Sequence, residues 1–142
     1  MKEAEQLDIA ISAILRVLTI DERRLSANIT PIHLNPLDIE VLSYLNRHAG
    51  SSARDIASFL GVGPTTMQSV IDRLDKRGML KRDAAALKGR AIALSLTERG
   101  VNVWDQVHRQ NLKNCDQMLH CISENERARF IEHMMEIAAQ IS

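Results

Sequence analysis

Aromatic residues are scarce in this chain: one Trp, one Tyr and two Phe among 142 residues, 3% of the total. So few rings are thin material for a substrate pocket. Cysteine is scarcer still. Cys115 and Cys121 form no C-x-x-C pair, and two cysteines make no disulfide framework. They are expected to be small buried apolar residues. The six glycines build no phosphate-cradling loop, and no G-x-S-x-G occurs. His108, Cys115, His120, Cys121 and His133 are scattered without an H-x-x-x-H pair, so neither a metal site nor a cofactor is expected. No apolar run approaches a membrane span. The opening Met1-Lys2-Glu3-Ala4-Glu5-Gln6 is unlike a secretory signal. These absences argue against an enzyme and against a membrane protein, and the expectation is a soluble cytoplasmic one.

Net charge is zero, 18 bases against 18 acids, which at first counts against a polyanionic partner. The distribution reverses that impression. Residues 51–90 hold eight Lys and Arg against four Asp, whereas residues 1–50 and 91–142 each hold five bases against seven acids. A basic centre between acidic ends suits a protein that meets phosphate on one side only.

Apolar spacing gives the elements. Leu7, Ile11, Ile14, Leu15 and Leu18 form one stripe of a first helix, widened by Ile9, Ala10 and Val17, which ends at Pro31 at the latest. Asn35-Pro36 starts a second helix, with Asn as N-cap and Pro at N1, that buries Leu37, Val41, Leu42 and Leu45. Ser52-Ala53-Arg54-Asp55 is a capping-box variant opening a short third helix with Ile56, Ala57, Phe59 and Leu60 inward. Gly61-Val62-Gly63 is a turn. Pro64 starts a fourth helix with Met67, Val70, Ile71 and Leu74 on its buried face, and Gly78 closes it.

After Gly78 the helical period gives way to strand alternation. Strands are expected at Met79–Arg82 and Arg90–Leu96, the second with Ile92, Leu94 and Leu96 on one face, around a long basic tip. Thr97 caps a long helix whose inward set is Val101, Trp104, Val107 or His108, Leu112, Cys115 and Leu119. Ser123-Glu124-Asn125-Glu126 is a capping box before a last helix with Phe130, Met134, Ile137 and Ile141 on one face.

The expected fold is mainly α with a small β-hairpin wing: a winged helix-turn-helix with flanking helices, in one structural domain. Residues 1–34 form an N-terminal dimerisation helix, 35–97 the winged core and 98–142 the C-terminal dimerisation helices. The terminal helices carry apolar faces too broad for a surface helix, and a two-fold dimer covers them.

Several blocks agree in order and spacing with one family. Leu60-Gly61-Val62, then Val70-Ile71-Asp72-Arg73-Leu74-Asp75-Lys76-Arg77-Gly78, Met79-Leu80-Lys81-Arg82, Arg90-Ala91, and Leu94-Ser95-Leu96-Thr97-Glu98-Arg99-Gly100 resemble the MarR family of dimeric winged-helix transcription regulators. The likeness is close over the middle, and the flanking helices match in number and length. It implies a triangular dimer with interlocked terminal helices, each lobe presenting one winged helix to half of a near-palindromic operator. It implies a small, often aromatic, anionic effector, for which Arg16, His33 and Tyr44 are the ligand-binding positions. It also implies that Asp72 pairs with a base such as Arg73. Two positions depart from the pattern: Lys88 stands where the family often has an acid, and Gly63 where it usually has a Ser or Thr cap.

Opposite the apolar stripe of the fourth helix lie Thr65, Gln68, Ser69 and Asp72, with Thr66 at the margin. Small hydroxyl and amide side chains near a helix N-terminus suit the major groove: Gln pairs with adenine N6 and N7, while Thr and Ser meet phosphate or a thymine methyl. Arg90 is expected to enter a narrow minor groove and Lys88 to meet phosphate or the same groove. Arg54, Arg73, Lys76, Arg77, Lys81 and Arg82 are expected phosphate contacts. The expected function is a sequence-specific regulator of double-stranded DNA, a ligand-responsive repressor acting as a homodimer. The alternative is a winged-helix adaptor module that binds protein rather than DNA, which would not need the basic centre.

Overall fold

The computed structural model describes residues 1–18, 34–83 and 91–142. Its elements are α1 (Glu3–Leu18), α2 (Pro36–Arg47), α3 (Ala53–Leu60), α4 (Pro64–Lys76), β1 (Leu80–Asp83), β2 (Ala93–Leu96), α5 (Glu98–His120) and α6 (Glu124–Ile141). The architecture is mainly α with one antiparallel hairpin, as the sequence predicts. Contacts divide the chain into two units, Thr19–His108 and Met1–Leu18 with Arg109–Ser142.

In the unit spanning 19–108, α2, α3 and α4 close around Val41, Leu42, Leu45, Ile56, Met67 and Ile71, with Leu80 and Leu94 of the hairpin sealing one side. Each such side chain contributes about 1.5–3 kcal/mol when fully buried. The capping box expected at Ser52 forms, and the Asn35 cap proves to be a capping box as well. Asp38 N donates to Asn35 Oδ1 at 2.9 Å and Asn35 N returns a bond to Asp38 Oδ2 at 3.1 Å. Ser52 and Asp55 do the same at 3.2 and 3.0 Å. Those bonds, the one from the Ser52 backbone foremost, hold the Asp55 carboxyl below the ordinary aspartate range.

Helix α4 ends in a Schellman motif. Gly78 takes the left-handed φ of +73° that a side chain resists, and Met79 N donates to Leu74 O at 2.9 Å. That bond takes the Met79 N–H and leaves only its carbonyl to the facing chain, and β1 begins at Leu80, one residue later than expected. The register pairs Leu80 with Leu96, Lys81 with Ser95, Arg82 with Leu94 and Asp83 with Ala93. A further bridge ties β2 to the segment before α3: Gly50 N donates to Leu94 O, and Leu94 N to Ser51 O, both at 2.8 Å.

The start of α5 is pressed onto the end of α4. Thr97 Oγ1 accepts from Gly100 N at 3.1 Å and donates to Gly78 O at 2.5 Å, while Thr97 N donates to Met79 O at 3.0 Å. A Cβ on Gly100 would lie 2.0 Å from Met79 O. This approach turns Gly100, Val103 and Val107 inward, so Val103 is buried and Val101 exposed, a rotation from the expected stripe. Phe59 is also a correction. It is 68% exposed, because Ile56 and Leu60 occupy the inner face of the short α3 while Phe59 lies along the Tyr44 ring. Ile92 precedes β2 and is exposed rather than packed with Leu94.

In the other unit, neither α1 nor α6 contains a buried residue. Arg127 Nε donates to Leu119 O at 2.9 Å and to Ile122 O at 3.1 Å, satisfying carbonyls at the end of α5. An apolar cleft of about 290 Å³ between α5 and α6 is lined by Cys115, Leu119, Phe130 and Met134. Leu7, Leu15 and Val17 of α1 are 59–62% exposed. Cys115 and Cys121 are exposed rather than buried, Leu112 is exposed, and Cys121 lies just past the end of α5. Ser123 precedes α6 without the side-chain capping bond that its spacing predicts. No helix among the described residues is long and apolar enough to cross a membrane.

Candidate nucleic-acid interface

Helix α4 is divided lengthwise by burial. Met67, Val70, Ile71 and Leu74 face the core, while Thr65, Thr66, Gln68, Ser69, Asp72 and Lys76 are exposed. Pro64 at N1 supplies the helical φ, and Gly63 serves as N-cap without a side-chain bond. The exposed set contains hydroxyls, one amide and one carboxylate, which are groups that can meet base edges.

Three ion pairs anchor this helix, one inward and two outward. Adjacent helical residues do not face each other, and Asp72 and Arg73 accordingly take different partners rather than pairing together. Arg73 turns inward: its Nη2 pairs with Oδ1 of Asp38, a fully buried carboxylate on α2. The Arg73 side chain remains 33% exposed, and its Nε is buried without a hydrogen-bond partner among the described residues. Arg73, expected among the phosphate contacts, is thus anchored to the core of its unit. Asp72 turns outward to the wing, where Arg82 Nη2 lies 2.5 Å from its Oδ1 and Arg82 Nη1 lies 2.6 Å from Asp75 Oδ2. The Arg82 guanidinium, followed by the Gln68 amide, holds the Asp72 carboxyl below the ordinary aspartate range. Arg82, expected among the phosphate contacts, thus pairs with two carboxylates while its side chain stays 34% exposed.

Gln68, Asp72 and Arg82 meet Arg54 and Ile92 around an open cleft of about 560 Å³ floored by Ile71 and Leu94. Arg54 is exposed in the first turn of α3, Lys81 is exposed on β1, and Lys76 is exposed in the last turn of α4. Arg77 is the half-buried C-cap of α4. Lys88, Arg90 and His33 lie outside the described residues. Arg16 is exposed in the last turn of α1. Tyr44 is half-buried on α2, its ring centroid 4.8 Å from that of His48 and 5.0 Å from that of Phe59, so it serves packing within its own unit. No group of three or more His, Cys, Asp or Glu that could hold a metal ion occurs among the described residues.

Two residues of this network were not legible as site residues. Asp38 sits three residues after a cap, where capping alone explains it. Asp75 reads as one more charge on an exposed turn until Arg82 is seen to reach it.

Comparison with known proteins places this geometry. Residues 33–91 match the model of the MarR family. An HTH-type transcriptional repressor of Mycobacterium tuberculosis, Rv2887, is 29% identical over 85 residues, covering 60% of this chain and 61% of that protein. An uncharacterized HTH-type regulator of Bacillus subtilis, YwhA, is 21% identical over 136 residues, covering 96% and 95%. For several curated relatives the chain spans about six-tenths of their length, 59% and 61% in two cases. Among solved structures, Streptococcus pneumoniae FabT in complex with DNA superposes with a TM-score of 0.82 at 16% identity, over 98% of this chain and 97% of that one, a likeness of fold.

Proposed function

This chain carries a MarR-family winged helix, and on that premise we propose that it is a cytoplasmic transcriptional repressor that binds a near-palindromic operator in double-stranded DNA as a homodimer. One observation carries the reading: α4 is buried along one side and presents Thr65, Thr66, Gln68 and Ser69 along the other, beside a hairpin between whose strands the sequence carries Lys88 and Arg90. Small polar side chains on the outer face enter the major groove, and the wing arginine enters the minor groove. Arg54, Lys76, Arg77 and Lys81 meet phosphate along the same edge. The exposed apolar residues of α1 and α6 cover one another across the two-fold axis, setting two copies of α4 about one helical turn of DNA apart. A small aromatic anion acts as effector by binding one arrangement of the dimer better than another.

Selection of bound duplexes from a random pool tests this reading. The expected product is a near-palindrome with half-sites about ten base pairs apart. Binding through about 6–10 phosphates loses about 10³–10⁵ of affinity between roughly 50 and 200 mM salt. Enrichment of no duplex, or affinity indifferent to salt, would favour the protein-contact alternative instead. Arg90→Ala is expected to weaken binding and flatten its salt slope. A thermal shift with phenolic acids tests the effector separately, and no stabilisation by any of them refutes it.

A further inference from the structure

Gln68 does not present a free amide. Its Nε2 donates to Asp72 Oδ1 at 2.9 Å, and its Oε1 accepts no hydrogen bond among the described residues. Asp72 is held from the wing side, where Arg82 Nη2 lies 2.5 Å from the same oxygen and Arg82 Nη1 reaches Asp75 at 2.6 Å. The guanidinium therefore fixes the carboxylate, and the carboxylate fixes which end of the amide faces it. The reversed amide would set Oε1 against a carboxylate oxygen, two acceptors together.

Counting donors then decides the base. A carboxamide has two N–H donors and one carbonyl oxygen. With one donor on Asp72, one donor and one acceptor remain. Adenine offers that complement in the major groove, an acceptor at N7 and a donor at N6, whereas guanine offers two acceptors, N7 and O6. Pairing with guanine needs both N–H groups, and Asp72 holds one of them.

We propose that Asp72, anchored by Arg82, is a positioning residue that makes Gln68 an adenine reader and excludes guanine at one base pair of each half-site. The inference rests on the DNA-binding reading above and adds to it which group sets the preference. Asp72 touches no base in this scheme; it acts through Gln68.

The test uses the full chain and duplexes carrying A·T or G·C at the position whose preference Gln68→Ala abolishes. Fluorescence anisotropy gives the adenine-over-guanine affinity ratio, expected at about tenfold or more for a bidentate contact. Asp72→Ala frees the second donor and is expected to bring that ratio close to one. In a Gln68→Ala background the same substitution is expected to leave the ratio unchanged, which a merely structural role would not produce. Asp72 is exposed, so the variant should fold. Should it not, Arg82→Met leaves the carboxylate in place but unanchored and should also narrow the ratio. A ratio unaltered by whichever variant folds, or a wild type that prefers guanine, overturns the inference while the DNA-binding reading stands. A wild type that binds no duplex at low salt overturns both.

Discussion

Replacing Asp38 by alanine should remove a large part of the stability of the winged-helix unit. The carboxylate is fully buried, accepts from the Asn35 backbone at 3.1 Å and pairs with the Arg73 guanidinium. Breaking a buried ion pair from one side costs about 3–5 kcal/mol, because the remaining charge is left uncompensated. The Arg73 side chain is 33% exposed, so part of its charge can reach water and the lower end applies, about 3 kcal/mol. Loss of half the capping box adds up to about 1 kcal/mol. Set against about 5–15 kcal/mol for a whole domain, this is a large fraction. With a urea slope of about 1–3 kcal/mol per molar, the midpoint should fall by at least about 1 M with the slope unchanged. Equilibrium urea unfolding followed by far-ultraviolet circular dichroism measures it. The double variant Asp38→Leu with Arg73→Met should recover most of the loss, since apolar replacement of both members of a buried pair is often neutral. An Asp38→Ala midpoint equal to that of the wild type would refute the assignment of this pair as the inner anchor of α4.

Gly100→Ala places a methyl group 2.0 Å from the Met79 carbonyl and should destabilise by about 3 kcal/mol or more, since backbone rather than a flexible side chain must yield; the thermal midpoint reports it. Arg82→Met removes the group that most lowers the Asp72 carboxyl pKa. That pKa should rise toward the ordinary aspartate value in a carboxyl-carbon NMR titration. A depressed carboxyl pKa stabilises the folded state above the unfolded value and loses that contribution as pH falls through the folded one, so the wild type should lose this ion pair only below the ordinary aspartate range. Leu7→Glu places a charge on the exposed apolar face of α1, where Leu7 is 60% exposed. If the proposed dimer forms through this face, sedimentation velocity shows the variant shifted toward monomer relative to the wild type, and no shift excludes this face from the subunit contact.

Much of the fold was legible because local signals agreed with one another. The Asn35 N-cap, the Ser52 capping box, the Gly78 terminus and the four apolar positions of α4 all fall where spacing alone puts them. What escaped the sequence was set by long-range contact. Val103 rather than Val101 faces inward because the close approach at Gly100 fixes the rotation of α5. Phe59 is exposed because a helix of eight residues has room for few inward positions. The outer face of α4 could be read from periodicity, which reports burial. The partners of its charges could not, because Asp38 lies 35 residues from Arg73 and Arg82 lies ten from Asp72.

The fastening of α4 and the hairpin has one more consequence. The helix terminus, the Thr97 contact and the Ser51–Leu94 bridge hold mainly through main-chain atoms and a single hydroxyl. Thr65, Thr66 and Ser69 contribute to none of them. Mutation at those three places can therefore alter what is bound without disturbing the frame, so a lineage with this frame is free to wander among targets while its architecture stays put.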